Sequence, residues 1–282
     1  MTSNSKHYIV AIYLTVVLPS FLMCRPAPKR SADTVQKNVH LTNVAYSSPL
    51  FKSIHVFVAL CDNKYQGIVP VPAGIGNGQD PASNLYWGCD FGLKTYFKKS
   101  KEWKLVKVEK RGGPILERLI FKHTSKNYYL VADAYDGKYI KQTTTDFLYS
   151  CAGQLKDTLH AGNYIVGIDG NASLVAYIGH DGLMDFRLPN SFKNADGKNR
   201  DCIILACISK KYFGGFINDA KARPLVWTTG LMCPEAYTLH DAMTGYINNE
   251  THEQIRLRAV RAYNKYQKSG MGFASELLVS GE

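Results

Sequence analysis

Apolar and polar positions along the chain fall into short runs of two kinds, separated by Gly-, Asp- and Asn-rich stretches. The first kind is continuous: Ile54 to Leu60, Leu174 to Ile178, Ile203 to Ala206, and Pro224 to Trp227. These runs are rich in β-branched and aliphatic residues and too short for helices. They predict strands of a parallel sheet buried on both faces. Further strands are expected at Leu105 to Val108, Ile115 to Phe121 and Tyr128 to Ala134. The second kind repeats every three or four residues. Leu239, Met243, Tyr246 and Ile247 keep a helical spacing, and Thr251-x-x-Gln254 is a capping box for a helix carrying Ile255, Ala259, Ala262 and Tyr266 on one face. Asp80-Pro81 predicts a helix start, with Asp as cap and Pro at the first position, running to about Lys99. Thr144 or Thr145 opens another helix through Phe147, Leu148, Cys151 and Leu155. The segment around Gly214-Gly215 reads as a short helix or loop, and Gly270 and Gly272 precede a short terminal helix. Strands that alternate with helices predict an α/β fold: a mainly parallel sheet flanked by helices, with a helical C-terminal region.

The start of the chain departs from this pattern. Lys6-His7 precedes an apolar run from Tyr8 to Cys24, and Arg25-Pro26-Ala27-Pro28-Lys29-Arg30 follows it, the layout of a secretory signal. The run is long for the apolar centre of a signal and short for a spanning helix. Residues 1–24 are therefore read as a signal peptide or membrane anchor, residues 25–53 as a polar linker, and residues 54–282 as the α/β domain. The expected location is periplasmic, cell-surface or secreted. A chain of 282 residues with 45% hydrophobic and 20% charged content can bury one sizeable core, which argues against global disorder.

The chemistry collects at the ends of the apolar runs. Sites in open α/β sheets gather at the carboxyl ends of strands. His180 follows the run that ends at Ile178, and Cys207 follows the run that ends at Ala206. If those two strands are parallel neighbours, an imidazole and a thiol meet at one rim, as a cysteine nucleophile with a histidine base requires. Backbone amides at Cys207 and around Asp181-Gly182 would supply an oxyanion hole. Asp62, Asp133, Trp227 and Thr228 stand at or near other strand ends and are candidates for substrate binding, the two aspartates favouring a cationic group. The Gly- and Pro-rich stretch from Gly67 to Gln79 reads as a loop beside the site; its Gly74-x-Gly76-x-Gly78 lacks the Lys-Ser/Thr of a phosphate-binding loop.

A hydrophobic block that ends in His, followed by a second block that ends in Ala206-Cys207, resembles the caspase-like cysteine peptidases, the clan that includes caspases, legumains, gingipains and separases. The resemblance implies a three-layer α/β sandwich, a Cys207/His180 dyad and hydrolysis of a peptide bond in a peptide or protein substrate. This chain differs in placing Asp181 between His180 and Gly182, where the family has Gly directly after His, and in the short separation of His180 from Cys207. A non-catalytic, envelope-associated binding protein on the same scaffold is the alternative, with Cys207 merely buried. Another Cys-dependent acyl transferase or hydrolase would share the dyad.

Charge and cysteine usage narrow the picture further. The formal net charge of +11 favours an anionic envelope surface, but no zinc knuckle, RNA-binding signature or aromatic-interleaved basic run points to specific nucleic-acid binding. None of the seven cysteines pairs with another at metal-ligand spacing, so neither a metal nor another cofactor is expected. Cys61, Cys151 and Cys202 lie in apolar contexts and read as buried thiols.

Overall fold

The computed structural model describes residues 51–281; the leader read at residues 1–24 and nearly all of the linker lie outside them. In chain order the elements are β1 (Lys52–Ala59), α1 (Leu93–Lys99), β2 (Trp103–Lys110), β3 (Ile115–His123), β4 (Tyr128–Tyr135) and α2 (Ile140–Ala152). There follow β5 (Lys156–Ala161), β6 (Tyr164–Asp169), β7 (Leu174–Ile178), β8 (Asp201–Leu205), α3 (Ser209–Ala220) and β9 (Arg223–Thr228). The chain closes with α4 (Ala236–Ile247), α5 (His252–Gln267), α6 (Met271–Leu277) and β10 (Leu278–Val279).

Eight strands form one sheet in the order β10-β9-β8-β7-β1-β4-β3-β2, and β5 and β6 form a separate hairpin. The five strands from β9 to β4 run parallel, while β10, β3 and β2 add antiparallel edges. The four apolar runs read as parallel strands therefore share one sheet, with their carboxyl ends on one rim. Their continuous hydrophobicity has a direct cause. Ile54, Val56, Val58 and Leu60 enter a core with α1, α4, α5 and α6. Phe57 and Ala59, from the alternate positions of β1, enter a second core with α2 and α3. Helices thus cover both faces of the central parallel strands, whose side chains are buried on either side. The outermost strand β2 carries exposed Lys104, Lys107 and Lys110, charges that discourage a second chain from pairing with the edge.

A buried polar cluster ties the hairpin to the sheet. Asp133 accepts from Arg118 Nε and Nη2, both at 2.6 Å, and from His55 Nε2 at 3.1 Å. His55 Nδ1 in turn accepts from the Asp169 backbone N–H at 2.9 Å. The two strong donors hold the Asp133 carboxyl below its ordinary value against the opposing effect of burial.

Several sequence expectations are corrected. Helix is confined to Leu93–Lys99, although the start signal in the sequence lies at Asp80-Pro81. Asn84 is the reason. Its side chain accepts from Cys61 N and donates to Cys61 O and Asn77 O, and its carbonyl accepts from Gly88 N and Cys89 N, so residues 80–92 wind into turns. α2 starts at Ile140 rather than at Thr144 or Thr145, because Thr143, Thr144 and Thr145 bond back to the carbonyls of Tyr139, Ile140 and Lys141 from inside the helix. The capping box at Thr251 and Gln254 is formed as the spacing implies. Cys61, Cys151 and Cys202 are buried free thiols. Among the described residues, no helix is long and apolar enough to cross a membrane.

Candidate functional site

β7 and β8 pair in parallel with Ile178 opposite Leu205, and Gly179 N donates to Leu205 O at 3.2 Å. His180 and Cys207 each lie two residues beyond that last pair, so the register delivers both to the same level of the rim. Gly179 is what lets the chain leave β7 there. Its φ is +147°, and a Cβ at this position would lie 2.7 Å from Ala59 O of the neighbouring strand.

Cys207 occupies a sharp strand-to-helix turn. Ile208, the next residue, has φ +51°, a left-handed conformation that a β-branched side chain strongly resists. The turn is held from outside. Thr228 donates its hydroxyl to Ala206 O and accepts from Ser209 N at 3.1 Å, while Ser209 Oγ donates to Ile204 O at 3.0 Å. Ile208 N donates to Gly230 O at 2.8 Å. Strained backbone maintained by surrounding bonds recurs at sites where a nucleophile is presented on a tight turn.

The Cys207 thiol donates to Met232 O at 3.6 Å and accepts from Met232 N at 3.4 Å. Burial pushes this thiol up from its ordinary value, the Met232 N–H works against that, and the Asp181 charge adds to it. The resting form is therefore the neutral thiol, and forming a thiolate requires a base.

His180 is 6% exposed, and its Nε2 donates to Asp185 Oδ2 at 2.7 Å. Its backbone carbonyl accepts from Tyr177 Oη at 2.8 Å. With Nε2 carrying the proton of the neutral ring, Nδ1 is left as the basic nitrogen. Asp185 Oδ2 also accepts from Gly67 N at 2.9 Å, so one carboxylate orients the imidazole and anchors the loop that follows β1. A Cβ on residue 67 would meet the Asp185 carboxylate, so a larger residue there would displace the group that orients His180. Sequence reasoning missed Asp185. Its signal is slight: an acidic residue five positions after His180, at the end of the Gly182–Met184 turn.

His180 and Cys207 line one cavity of about 570 Å³, bounded by Gly67, Ile68, Val69 and Val71 after β1, Leu85 and Tyr86, Gly179 and Met184 after β7, Leu231 to Glu235 after β9, and Gln267. The Gly- and Pro-rich loop does border the site, through its first residues. The other predicted residues are placed elsewhere. Asp62 accepts from Lys64 N, Tyr65 N and Gln79 Nε2 at 2.8, 3.2 and 2.7 Å, closing the start of that loop instead of facing the cavity. Asp133 is fully buried in the cluster with Arg118 and His55. Trp227 lines a different cleft, with Lys210 and Arg256, and its indole nitrogen has no partner among the described residues. Thr228 is a clamp on the Cys207 turn and not a wall of the cavity.

Asp181 and Gly182 are also buried, and neither is among the residues that line the cavity. Asp181 Oδ1 accepts from Leu183 N at 3.0 Å, and Oδ2 has no partner among the described residues. Burial is the main reason that the Asp181 carboxyl is pushed up to about 7. Gly182 packs against Phe186 and Ile140. The amide that touches the sulfur is that of Met232, which the sequence did not single out. Compared with protein-family models, with curated proteins and with solved structures, the chain finds no match.

Proposed function

We propose that the chain is a cysteine peptidase-like hydrolase in which Cys207 is the nucleophile, His180 the base and Asp185 the residue that orients the base. The observation that carries this reading is the matched position of His180 and Cys207, level on adjacent parallel strands and lining one cavity, with the imidazole hydrogen-bonded to a carboxylate. The fold and the His/Ala-Cys order support a caspase-like ancestry.

The proposed reaction follows acyl-transfer logic. His180 Nδ1 takes the thiol proton as Cys207 Sγ bonds to the carbonyl carbon of the substrate. The C–N bond breaks, and His180 returns the proton to the leaving amine. Water then adds to the thioester, its proton passing to His180; the C–S bond breaks and the sulfur regains a proton. Asp185 stabilises the imidazolium formed on the way. The Met232 N–H is placed to steady the thiolate, a role that removes part of the cost of ionising a buried sulfur.

The test is hydrolysis of a mixed set of peptide substrates by the full chain and by Cys207→Ala. The proposal expects cleavage by the wild type and its complete loss in the variant, with the circular dichroism of the two unchanged. Cleavage that persists in Cys207→Ala would reject Cys207 as nucleophile. A second reading, a binding protein that uses the same cavity without chemistry, draws on the raised thiol pKa; it expects peptide binding and no hydrolysis by either protein.

A further inference from the structure

We infer that the cavity beside Cys207 selects an uncharged apolar side chain, aliphatic or aromatic, on the residue whose carbonyl carbon the sulfur attacks. This inference rests on the peptidase reading and adds the substrate class to it.

The argument begins with the lining. Val69, Val71, Leu85, Met184, Leu231 and Met232 give the wall its apolar character, from loops after three different strands. Three of these side chains are open to solvent at the mouth: Val69 is 89% exposed, Leu231 68% and Met184 39%. Apolar side chains gathered round one cavity and left uncovered mark a binding surface. The occupant that covers them must itself be apolar, because only then does the contact remove apolar area from water on both sides.

Charge points the same way. No Lys or Arg stands among the described residues lining the cavity, so an acidic side chain would find no counter-ion there. Among the described residues the lining holds a single carboxylate, Glu235, whose Oε2 accepts from two neutral donors, Tyr237 Oη at 2.8 Å and Gln267 Nε2 at 3.0 Å. A basic side chain would have to leave water for a mainly apolar wall, with this one carboxylate as its counter-ion. Asp62 and Asp133, the residues that would have drawn a cation, are committed elsewhere. Size fits as well, since about 570 Å³ holds a large side chain together with its own backbone. Because Cys207 opens into this cavity, the filling side chain belongs to the residue that stays bonded to the sulfur in the acyl intermediate.

Binding and turnover are measured separately to test this. The full chain carrying Cys207→Ala is titrated calorimetrically with blocked tetrapeptide amides that differ at one position, Leu, Phe, Arg or Asp. Hydrolysis of the same four by the wild type is followed by mass spectrometry. The Leu and Phe peptides should bind about tenfold or more tightly than the Arg and Asp peptides, the discrimination that one buried apolar side chain provides. Leu231→Glu in the Cys207→Ala background should erase that margin, and the exposure of Leu231 makes this change compatible with folding. Arg or Asp peptides that bind as well as Leu, or no binding by any of the four, would overturn the inference. Hydrolysis of Arg or Asp peptides by the wild type would in that case leave the peptidase reading intact. Apolar preference in binding without hydrolysis by the wild type would keep the inference and remove the peptidase reading.

Discussion

Asp181→Asn should make the protein more stable at pH 8 and no more stable at pH 5. The native carboxyl is completely buried, one oxygen has no partner among the described residues, and its pKa is pushed up to about 7 from an ordinary 3.8. Between those two values the folded state holds a proton that the unfolded chain has released. Stability therefore falls as pH rises through that window, and the full penalty is present above about pH 7. A displacement of roughly three units at about 1.4 kcal/mol each sets a ceiling of about 4 kcal/mol. Asn keeps the acceptor for Leu183 N–H but leaves an amide N–H₂ where Oδ2 was, a loss of about 1–2 kcal/mol. The net gain expected at pH 8 is about 2 kcal/mol. Urea unfolding of both proteins at pH 5, 6, 7 and 8 measures it as a widening gap between midpoints. The same variant should alkylate faster at Cys207 at pH 8, because the Asp181 charge raises that thiol. Parallel pH profiles for the two proteins would refute the reasoning.

Two other perturbations follow from the same geometry. Asp185→Ala removes the acceptor of His180 Nε2 and of Gly67 N, so turnover should fall about 100-fold or more, within the range that correct general-base action supplies, while the circular dichroism stays native. An unchanged pH–rate profile would exclude a positioning role. Asp133→Ala leaves the Arg118 guanidinium buried and unpaired, and should lower stability by about 3–5 kcal/mol, read from thermal unfolding.

Much of the fold was legible because the sheet is covered on both faces. A strand buried on both sides must be apolar throughout, so Ile54 to Leu60, Leu174 to Ile178 and Ile203 to Ala206 stood out as unbroken runs, and the order of strands and helices gave the rim. The hairpin went unassigned because Lys156–Ala161 carries Lys, Asp and His, and the apolar stretch Tyr164–Ile168 is broken by Gly167. The turns between Asp80 and Gly92 were misread because Asp80-Pro81 is a true start signal whose continuation is diverted by the Asn84 bonds, and local sequence does not encode that competition. His180 and Cys207 could be found because strand ends are visible in sequence. Asp62, Asp133, Trp227 and Thr228 shared that position, but the direction in which a side chain leaves a strand end depends on packing. Asp133 turns into the sheet toward Arg118, and Thr228 turns back toward Ser209. Asp185 and Met232 reach the site through loop geometry alone, and no periodicity announces them.

The central claim is that His180 activates the sulfur of Cys207. Its most direct test is the rate of iodoacetamide alkylation at Cys207 at pH 7, located by peptide mapping so that the exposed Cys233 in the same cavity is counted separately, in the wild type and in His180→Ala. An active dyad predicts that Cys207 reacts faster than Cys233 in the wild type and loses that advantage in His180→Ala. Equal rates at Cys207 in the two proteins, or a Cys207 that stays inert while Cys233 reacts, would contradict the account.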